Sequence, residues 1–93
     1  MSPVEWMIKV ELFGVARLKA GVESIELGEA RSLGDAYSLL SQKLPSLQPS
    51  VIEDGRLKPF YALAVNGAIV RAGSEIALCP GDVLMILSAD AGG

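Results

Sequence analysis

The chain has 93 residues, of which 51% are hydrophobic, and its formal net charge is −3. This length predicts a single domain, residues 1–93, with one hydrophobic core. The sequence contains no His and one Cys, which excludes most hydrolase triads, zinc sites and iron–sulfur clusters. The eight basic residues are scattered, and this argues against a nucleic-acid partner.

The hydropathy pattern also bears on location. No apolar run approaches the ~20 residues that a helix needs to cross a bilayer. Residues 1–5 do not lead from a basic region into an apolar one, as a signal peptide would. We therefore expect a cytoplasmic protein with no membrane partner.

The first part of the chain predicts two paired strands. Apolar and charged residues alternate over residues 6–12, with the period of a half-buried strand. A weaker strand is expected over residues 22–27. Residues 14–21, which begin and end with a glycine, predict a loop. The two strands would then form a hairpin with a long connection.

A helix and a long connection follow. Ser32, with Asp35 three residues later, has the pattern of a helix N-terminus. Apolar residues continue at helical spacing over residues 33–44. Pro45 ends the helix because the residue before a proline is forced out of the helical region. Residues 47–59 predict an irregular crossover.

The last part of the chain predicts three strands. Residues 61–65 form a short apolar strand, and the Asn-Gly pair at 66–67 is a hairpin-turn signal that leads into a strand at 68–70. Residues 79–82, Cys-Pro-Gly-Asp, predict a type II turn. The final strand, 83–87, is apolar at every position and is expected to be central and buried on both faces.

This order of elements predicts an α+β fold. An apolar last strand can lie beside the first strand, in the middle of a mixed sheet of about five strands. One main helix packs against that sheet. This arrangement is the β-grasp, or ubiquitin-like, fold.

The most informative feature for function is the pair Gly92-Gly93 at the end of the sequence. Glycine has no Cβ atom and great backbone freedom. Such a tail could thread in extended form through a narrow channel and deliver its carboxylate into another protein's active site. The alternative is a frayed terminus without function.

Several motifs spread over nearly the whole chain match one family. They are Ile8-Lys9-Val10-Glu11-Leu12-Phe13, Ala16-Arg17, Ser32-Leu33-Gly34-Asp35-Ala36, Ala64-Val65-Asn66-Gly67, Gly81-Asp82-Val83 and Ala91-Gly92-Gly93. In these motifs the chain resembles the small subunit of molybdopterin synthase and its ubiquitin-like sulfur-carrier relatives of the MoaD and ThiS type.

The resemblance implies a carrier and not an enzyme in its own right. A ubiquitin-activating-like adenylyltransferase would use ATP to adenylate the Gly93 carboxylate, and a persulfide donor would convert it to a thiocarboxylate. The thiocarboxylate would donate sulfur to a pterin precursor of the molybdenum or tungsten cofactor. This transfer would take place in the large subunit of molybdopterin synthase, within a heterotetramer. The chain would bind no cofactor and no metal.

The predicted site includes further residues. The tail that threads into the partner consists of Asp90, Ala91 and Gly92 ahead of Gly93. Members of the family often carry two prolines and an apolar residue where Ser88, Ala89 and Asp90 stand here, so we expect a flexible tail over residues 88–93. Candidates for a partner-facing patch are Phe13, Phe60 and Arg71. Burial of Phe13 in the core and solvation of the Arg71 charge remain alternatives.

Other functions start from the same fold. The sulfur acceptor could instead belong to thiamine synthesis, tRNA thiolation or cysteine synthesis, or the chain could be attached to lysines as a ubiquitin-like modifier. The long connection over residues 45–59 favours the molybdopterin branch over thiazole carriers. A different class is a non-covalent β-grasp interaction module, for which deletion of Gly93 has no effect.

Overall fold

The computed structural model describes residues 6–71 and 76–88. No helix in these two ranges is long and apolar enough to span a membrane. The helices are α1 (Gly14–Ala20) and α2 (Leu33–Lys43). The strands are β1 (Ile8–Leu12), β2 (Ser24–Leu27), β3 (Ile52–Glu53), β4 (Arg56–Leu57), β5 (Tyr61–Val65), β6 (Ala68–Val70) and β7 (Val83–Ser88).

Five strands form one mixed sheet in the order β2-β1-β7-β5-β6. The first and last strands are parallel neighbours in its middle, with Val10 level with Leu84 and Leu12 level with Ile86. The other neighbouring strands are antiparallel. This topology confirms the predicted β-grasp fold and the central position of the last strand.

The core lies between the sheet and α2. Every second residue of β1 is buried, and so are the two residues of β7 that face the same way, as the period of a strand requires. From α2 the core receives side chains at helical spacing. The fully buried residues of this core include Ile8, Val10, Leu12, Ala36, Leu40, Leu84 and Ile86.

The main helix begins and ends where the sequence predicts. The Ser32 hydroxyl accepts a hydrogen bond from the Asp35 N–H at 3.2 Å, and so caps the first turn. The Asp35 carboxylate accepts from the N–H of Arg31 at 3.1 Å, one residue earlier than in a reciprocal capping box. Leu44 forms the C-terminal cap, and Pro45 then opens a short 3₁₀ turn.

The connection between β1 and β2 is not the predicted loop, because residues 14–20 form α1. Gly21, with φ of +79°, is a left-handed C-terminal cap whose N–H donates to the Arg17 carbonyl at 2.9 Å. Ala16 is buried and Ala20 packs at the edge of the core. Gly14 and Gly21 therefore mark the two ends of a short helix. The spacing of two glycines is the same for a short helix as for a loop.

The crossover after α2 is also more regular than predicted. Residues 45–47 form a 3₁₀ turn, and β3 and β4 form a small hairpin. Both turn residues have positive φ angles, +55° at Asp54 and +73° at Gly55. This is the Asp-Gly turn that favours a tight hairpin, and the prediction of an irregular segment overlooked it.

Candidate functional site

The base of the tail lies at the end of the central strand. β7 ends at Ser88, and Asp90, Ala91, Gly92 and Gly93 lie outside the described residues. The five residues that follow Ser88 in the sequence can reach at most ~17 Å when fully extended. A partner that binds the Gly93 carboxyl group must therefore come within that distance of Ser88.

Helix α1 begins directly beside this strand end. Gly14 has φ of +58°, and a Cβ atom added there would lie 3.0 Å from the Ser88 hydroxyl oxygen. That hydroxyl oxygen is buried and has no hydrogen-bond partner within residues 6–71 and 76–88. The close approach explains the glycine at position 14, and it places α1 at the end of the sheet from which the tail leaves.

Two aromatic residues flank the strand end. Phe13 follows β1, and its N–H donates to the Ile86 carbonyl at 3.0 Å. On the other side, Phe60 precedes Tyr61, which pairs with Ser88. Phe13 is half-buried, whereas Phe60 is 49% exposed. The Phe60 and Tyr61 rings are packed edge to face, with their centres 5.5 Å apart. The structure thus brings two of the predicted partner residues to the base of the tail.

Arg71 lies at the same end of the sheet. It follows Val70, which pairs with Leu63, and Leu63 in turn pairs with Ile86. Two strand spacings place it ~10 Å from β7, and it is exposed. The three residues predicted to face a partner therefore share one end of the fold, and their role in binding stays a prediction.

The face of the sheet turned away from α2 carries a sheet patch of apolar side chains. By strand alternation and register it comprises Ala62, Ala64, Ile69, Val83, Met85 and Leu87. Ile69 is 66% exposed, and the three β7 residues are half-buried. The prediction that β7 is buried on both faces is wrong. Its face towards α2 is buried, but no other layer of the described residues covers the face that carries the sheet patch. Ala64 within the patch is only 3% exposed, and exposed apolar faces of this kind are typical of interaction surfaces.

The β1 and β2 half of the same face is charged. On β1, the Lys9 Nζ lies 3.5 Å from the Glu11 Oε2, and both side chains are partly exposed. This ion pair therefore contributes little to stability. A shallow groove continues from these residues past Phe13 to Arg17 and Glu23. The open face therefore divides into an apolar half and a polar half.

Arg17 holds Phe13 in position. Its Nε donates to the Leu12 carbonyl at 2.9 Å, and its guanidinium carbon lies 5.4 Å from the centre of the Phe13 ring. The contact is a cation–π arrangement, and it fixes an aromatic ring beside the base of the tail. In the sequence, Arg17 was part of the Ala16-Arg17 motif that supports the family resemblance. The motif did not predict that the Arg17 side chain contacts Phe13.

At the opposite end of the sheet, Asn66 and Asp82 form a polar lock. The Asn66 Nδ2 donates to Asp82 Oδ1 at 3.0 Å, and Asn66 Oδ1 accepts from the Val83 N–H at 2.9 Å. The second carboxylate oxygen of Asp82 accepts from the Cys79 N–H at 2.8 Å. Together these bonds tie the β5–β6 turn to the start of β7.

The lock gives two of the family motifs a structural reason. Asn66 has φ of +51° and Gly67 has φ of +90°, as a hairpin turn of the predicted kind requires. Gly81, with φ of +91°, occupies the left-handed position of the predicted Cys-Pro-Gly-Asp turn. A slip of one residue in β7 would exchange its buried and open faces, so the lock fixes the register of the strand that leads to the tail.

Comparison with known proteins gives one family and a consistent set of solved structures. The model of the ThiS family matches residues 10–93, and no curated protein matches the chain. SAMP1 from Haloferax volcanii is 26% identical, with a TM-score of 0.78 over 94% of this chain and 99% of that one. The small archaeal modifier protein SAMP1 from Methanosarcina acetivorans is 27% identical, with a TM-score of 0.78 over 98% and 100%. The complex of molybdopterin-converting factor subunits 1 and 2 from Helicobacter pylori shares the fold, at 23% identity and a TM-score of 0.63 over 94% and 99%.

Proposed function

Because this chain belongs to the ThiS family of small ubiquitin-like sulfur carriers and modifiers, we propose that it acts through the carboxyl group of Gly93. The match to the family extends through both final glycines. The observation that carries the proposal is the position of Ser88, at the end of a central strand and between two aromatic residues. A tail that starts there follows a strand that is paired on both sides.

The first chemical step is adenylation. A Gly93 carboxylate oxygen attacks the α-phosphorus of ATP, pyrophosphate leaves, and the product is an acyl adenylate. A persulfide on a donor enzyme then attacks the acyl carbon and releases AMP, which leaves an acyl disulfide. A second thiol of the donor reduces that disulfide, so the chain leaves with a thiocarboxylate and the donor keeps a disulfide. The carrier supplies only its carboxyl group, and the partner enzymes supply the catalytic groups.

The partner enzymes need a surface that orients the tail. The sheet patch offers one, because its apolar side chains are exposed or half-buried at Ala62 on β5, at Ile69 on β6 and along β7. Phe13 and Phe60 extend this surface to the base of the tail. Aromatic anchors beside an apolar centre are typical of protein interfaces. We therefore assign the sheet patch to binding the activating enzyme and, in turn, the sulfur acceptor.

For the acceptor we propose the pterin precursor of the molybdenum or tungsten cofactor, bound to a large synthase subunit. The long connection over residues 45–59, which thiazole carriers tend to lack, supports this branch over thiazole synthesis. A second candidate is covalent attachment to protein lysines. The greater structural similarity to two SAMP1 proteins, with TM-scores of 0.78 against 0.63, favours that candidate.

The test of the common first step is ATP–pyrophosphate exchange with the ubiquitin-activating-like adenylyltransferase from the same organism. The full chain should support exchange, whereas deletion of Gly93 or the substitution Gly92→Trp should abolish it. Gly28→Ala is the matched control, since Gly28 is exposed and an added Cβ would meet nothing within 4 Å. Equal exchange by the chain that lacks Gly93 would refute the assignment to the Gly93 carboxyl group. No exchange with the full chain, with an enzyme shown to activate another carrier, would favour a non-covalent interaction module.

A second assay separates the two acceptors. The thiocarboxylated chain is incubated with the large synthase subunit and the pterin precursor, and the sulfur content of the pterin is measured. Sulfur transfer supports the cofactor branch. If transfer fails and cells that express the chain contain lysines bearing a Gly-Gly remnant, the modifier function replaces it.

A further inference from the structure

Helix α1 and the turn after it expose a second apolar surface, separate from the sheet patch. We name it the α1 patch, and it consists of Val15, Leu18 and Val22. Leu18 is 80% exposed, and the two valines are 39% and 40% exposed. Val15 and Leu18, three residues apart on α1, lie on one helical face, and Val22, beyond the Gly21 cap, lines a shallow groove together with Leu18. None of these side chains contributes to the buried core.

The helix that carries this patch is firmly held. Ala16, on its inner side, is fully buried, and the Gly21 cap closes the last turn through its bond to the Arg17 carbonyl. Arg17 is also bonded to the Leu12 carbonyl. The α1 patch is therefore presented on a fixed support, which lowers the entropic cost of binding to it.

The patch is close to the base of the tail. Gly14, the first residue of α1, is packed against Ser88. Leu18 comes four residues later, which corresponds to a rise of ~6 Å along the helix. The Gly93 carboxyl group can reach ~17 Å from Ser88. An enzyme large enough to enclose the tail therefore faces α1 as well.

The size of the patch decides what kind of occupant it fits. Three side chains expose no more than a few hundred Å², against ~800 Å² per partner in a stable interface. A second copy of this chain held by the α1 patch alone would not form a stable dimer. The patch fits a partner that is already held by other contacts, and the tail provides such contacts.

We propose that the α1 patch binds an apolar pocket beside the tail entrance of the adenylating enzyme, a contact separate from the sheet patch. The inference rests on the proposed function, since it requires an enzyme that takes the tail. Adenylation is the step that sulfur transfer and lysine modification share, so the contact does not depend on the acceptor. Leu18 is the centre of the contact because it has the most apolar surface to bury.

The test measures KM and kcat for adenylation of the full chain and of the variants Leu18→Gln and Leu18→Glu. Gln42→Glu, at an exposed site on α2, is the matched control for an added helix charge. Both Leu18 variants should raise KM roughly tenfold or more, with kcat and the urea midpoint unchanged. The control should leave both kinetic constants at their original values.

A direct measurement accompanies the kinetics. In the complex of the methyl-labelled chain with the adenylating enzyme, saturation of enzyme protons should transfer to the Leu18 methyl groups. An unchanged KM for Leu18→Gln, or no transfer to these methyls, overturns the proposal while adenylation itself stands. A concentration-dependent dimer that Leu18→Gln abolishes overturns it in favour of self-association. If the original chain is not adenylated at all, the proposed function fails, and this inference with it.

Discussion

The polar lock between Asn66 and Asp82 gives a quantitative test of what holds the central strand. The substitution Asn66→Gly keeps the backbone angle, because glycine adopts the φ of +51° without strain. It removes two side-chain hydrogen bonds, one to Asp82 at 3.0 Å and one from the Val83 N–H at 2.9 Å. In the folded state the change is therefore confined to the lock.

The expected loss follows from those two bonds. Each intramolecular hydrogen bond contributes about 0.5–1.5 kcal/mol net, so their removal should cost about 1–3 kcal/mol of unfolding free energy. A new glycine also makes the unfolded chain more flexible, which lowers stability by up to ~1 kcal/mol. Asp54→Gly corrects for that second effect, since Asp54 has φ of +55° in a similar turn and makes no side-chain hydrogen bond with the described residues.

The assay is equilibrium unfolding in urea for the original chain and for both variants. The unfolding free energy of Asn66→Gly should fall about 1–3 kcal/mol below that of Asp54→Gly, with similar m-values. If the two variants agree within ~0.5 kcal/mol, the lock does not stabilise the start of β7. The reasoning about strand register would then be wrong.

Three further predictions concern other contacts. Gly14→Ala should lower the free energy of unfolding in urea by about 1–3 kcal/mol, because alanine is strained at φ of +58° and its Cβ atom would lie 3.0 Å from the Ser88 hydroxyl oxygen. Gly28→Ala, where an added Cβ meets nothing within 4 Å, should not lower it. Equal losses for the two variants would contradict the assignment of the effect to the contact with Ser88. Ser32→Ala should cost ~1 kcal/mol through loss of the α2 cap, whereas Ser38→Ala in the exposed middle of α2 should keep or slightly raise stability, because Ala is the better helix former. An equal loss at both positions would contradict the assignment of the effect to the cap. Burial raises the pKa of Tyr37 above its usual 10.0, so the folded chain holds this proton more tightly than the unfolded chain and stability should fall as pH rises above ~10. The variant Tyr37→Phe should lose that part of the pH dependence, and an identical alkaline profile would refute the assignment.

The fold was predictable where one local signal agreed with the global arrangement. The alternation in β1, the Ser32 cap, the Pro45 stop and the Asn66-Gly67 turn each indicate one structure, and all four are confirmed. The apolar sequence of β7 placed that strand correctly in the centre of the sheet. The family resemblance, which rested on motifs across the chain, is confirmed by the ThiS family match.

The errors arose where a pattern had two physical meanings. Glycines at both ends of a short segment indicate a loop or a short capped helix, and only the burial of Ala16 in the fold decides between them. A strand without polar residues can be covered on both faces, or can keep one face for a partner. Within the described residues β7 is covered on one face only, because only Leu84 and Ile86 are fully buried; a role of its other face in binding stays a prediction.

The candidate site was predictable in part. The sequence indicated Phe13, Phe60 and Arg71 as partner residues, but their common position at the tail end depends on strand register. The support of Phe13 by Arg17 and the apolar surface around Leu18 could not be predicted, because both depend on α1. The assignments of Asp90, Ala91, Gly92 and Gly93 stay predictions.

The measurement that tests the central claim most directly is the intact mass of the chain after reaction with ATP, the adenylating enzyme and a persulfide donor. The proposed function predicts a gain equal to the mass difference between one sulfur atom and one oxygen atom. That gain should be absent from the chain without Gly93. An unchanged mass, with an enzyme shown to activate another carrier, would contradict the claim that Gly93 carries sulfur.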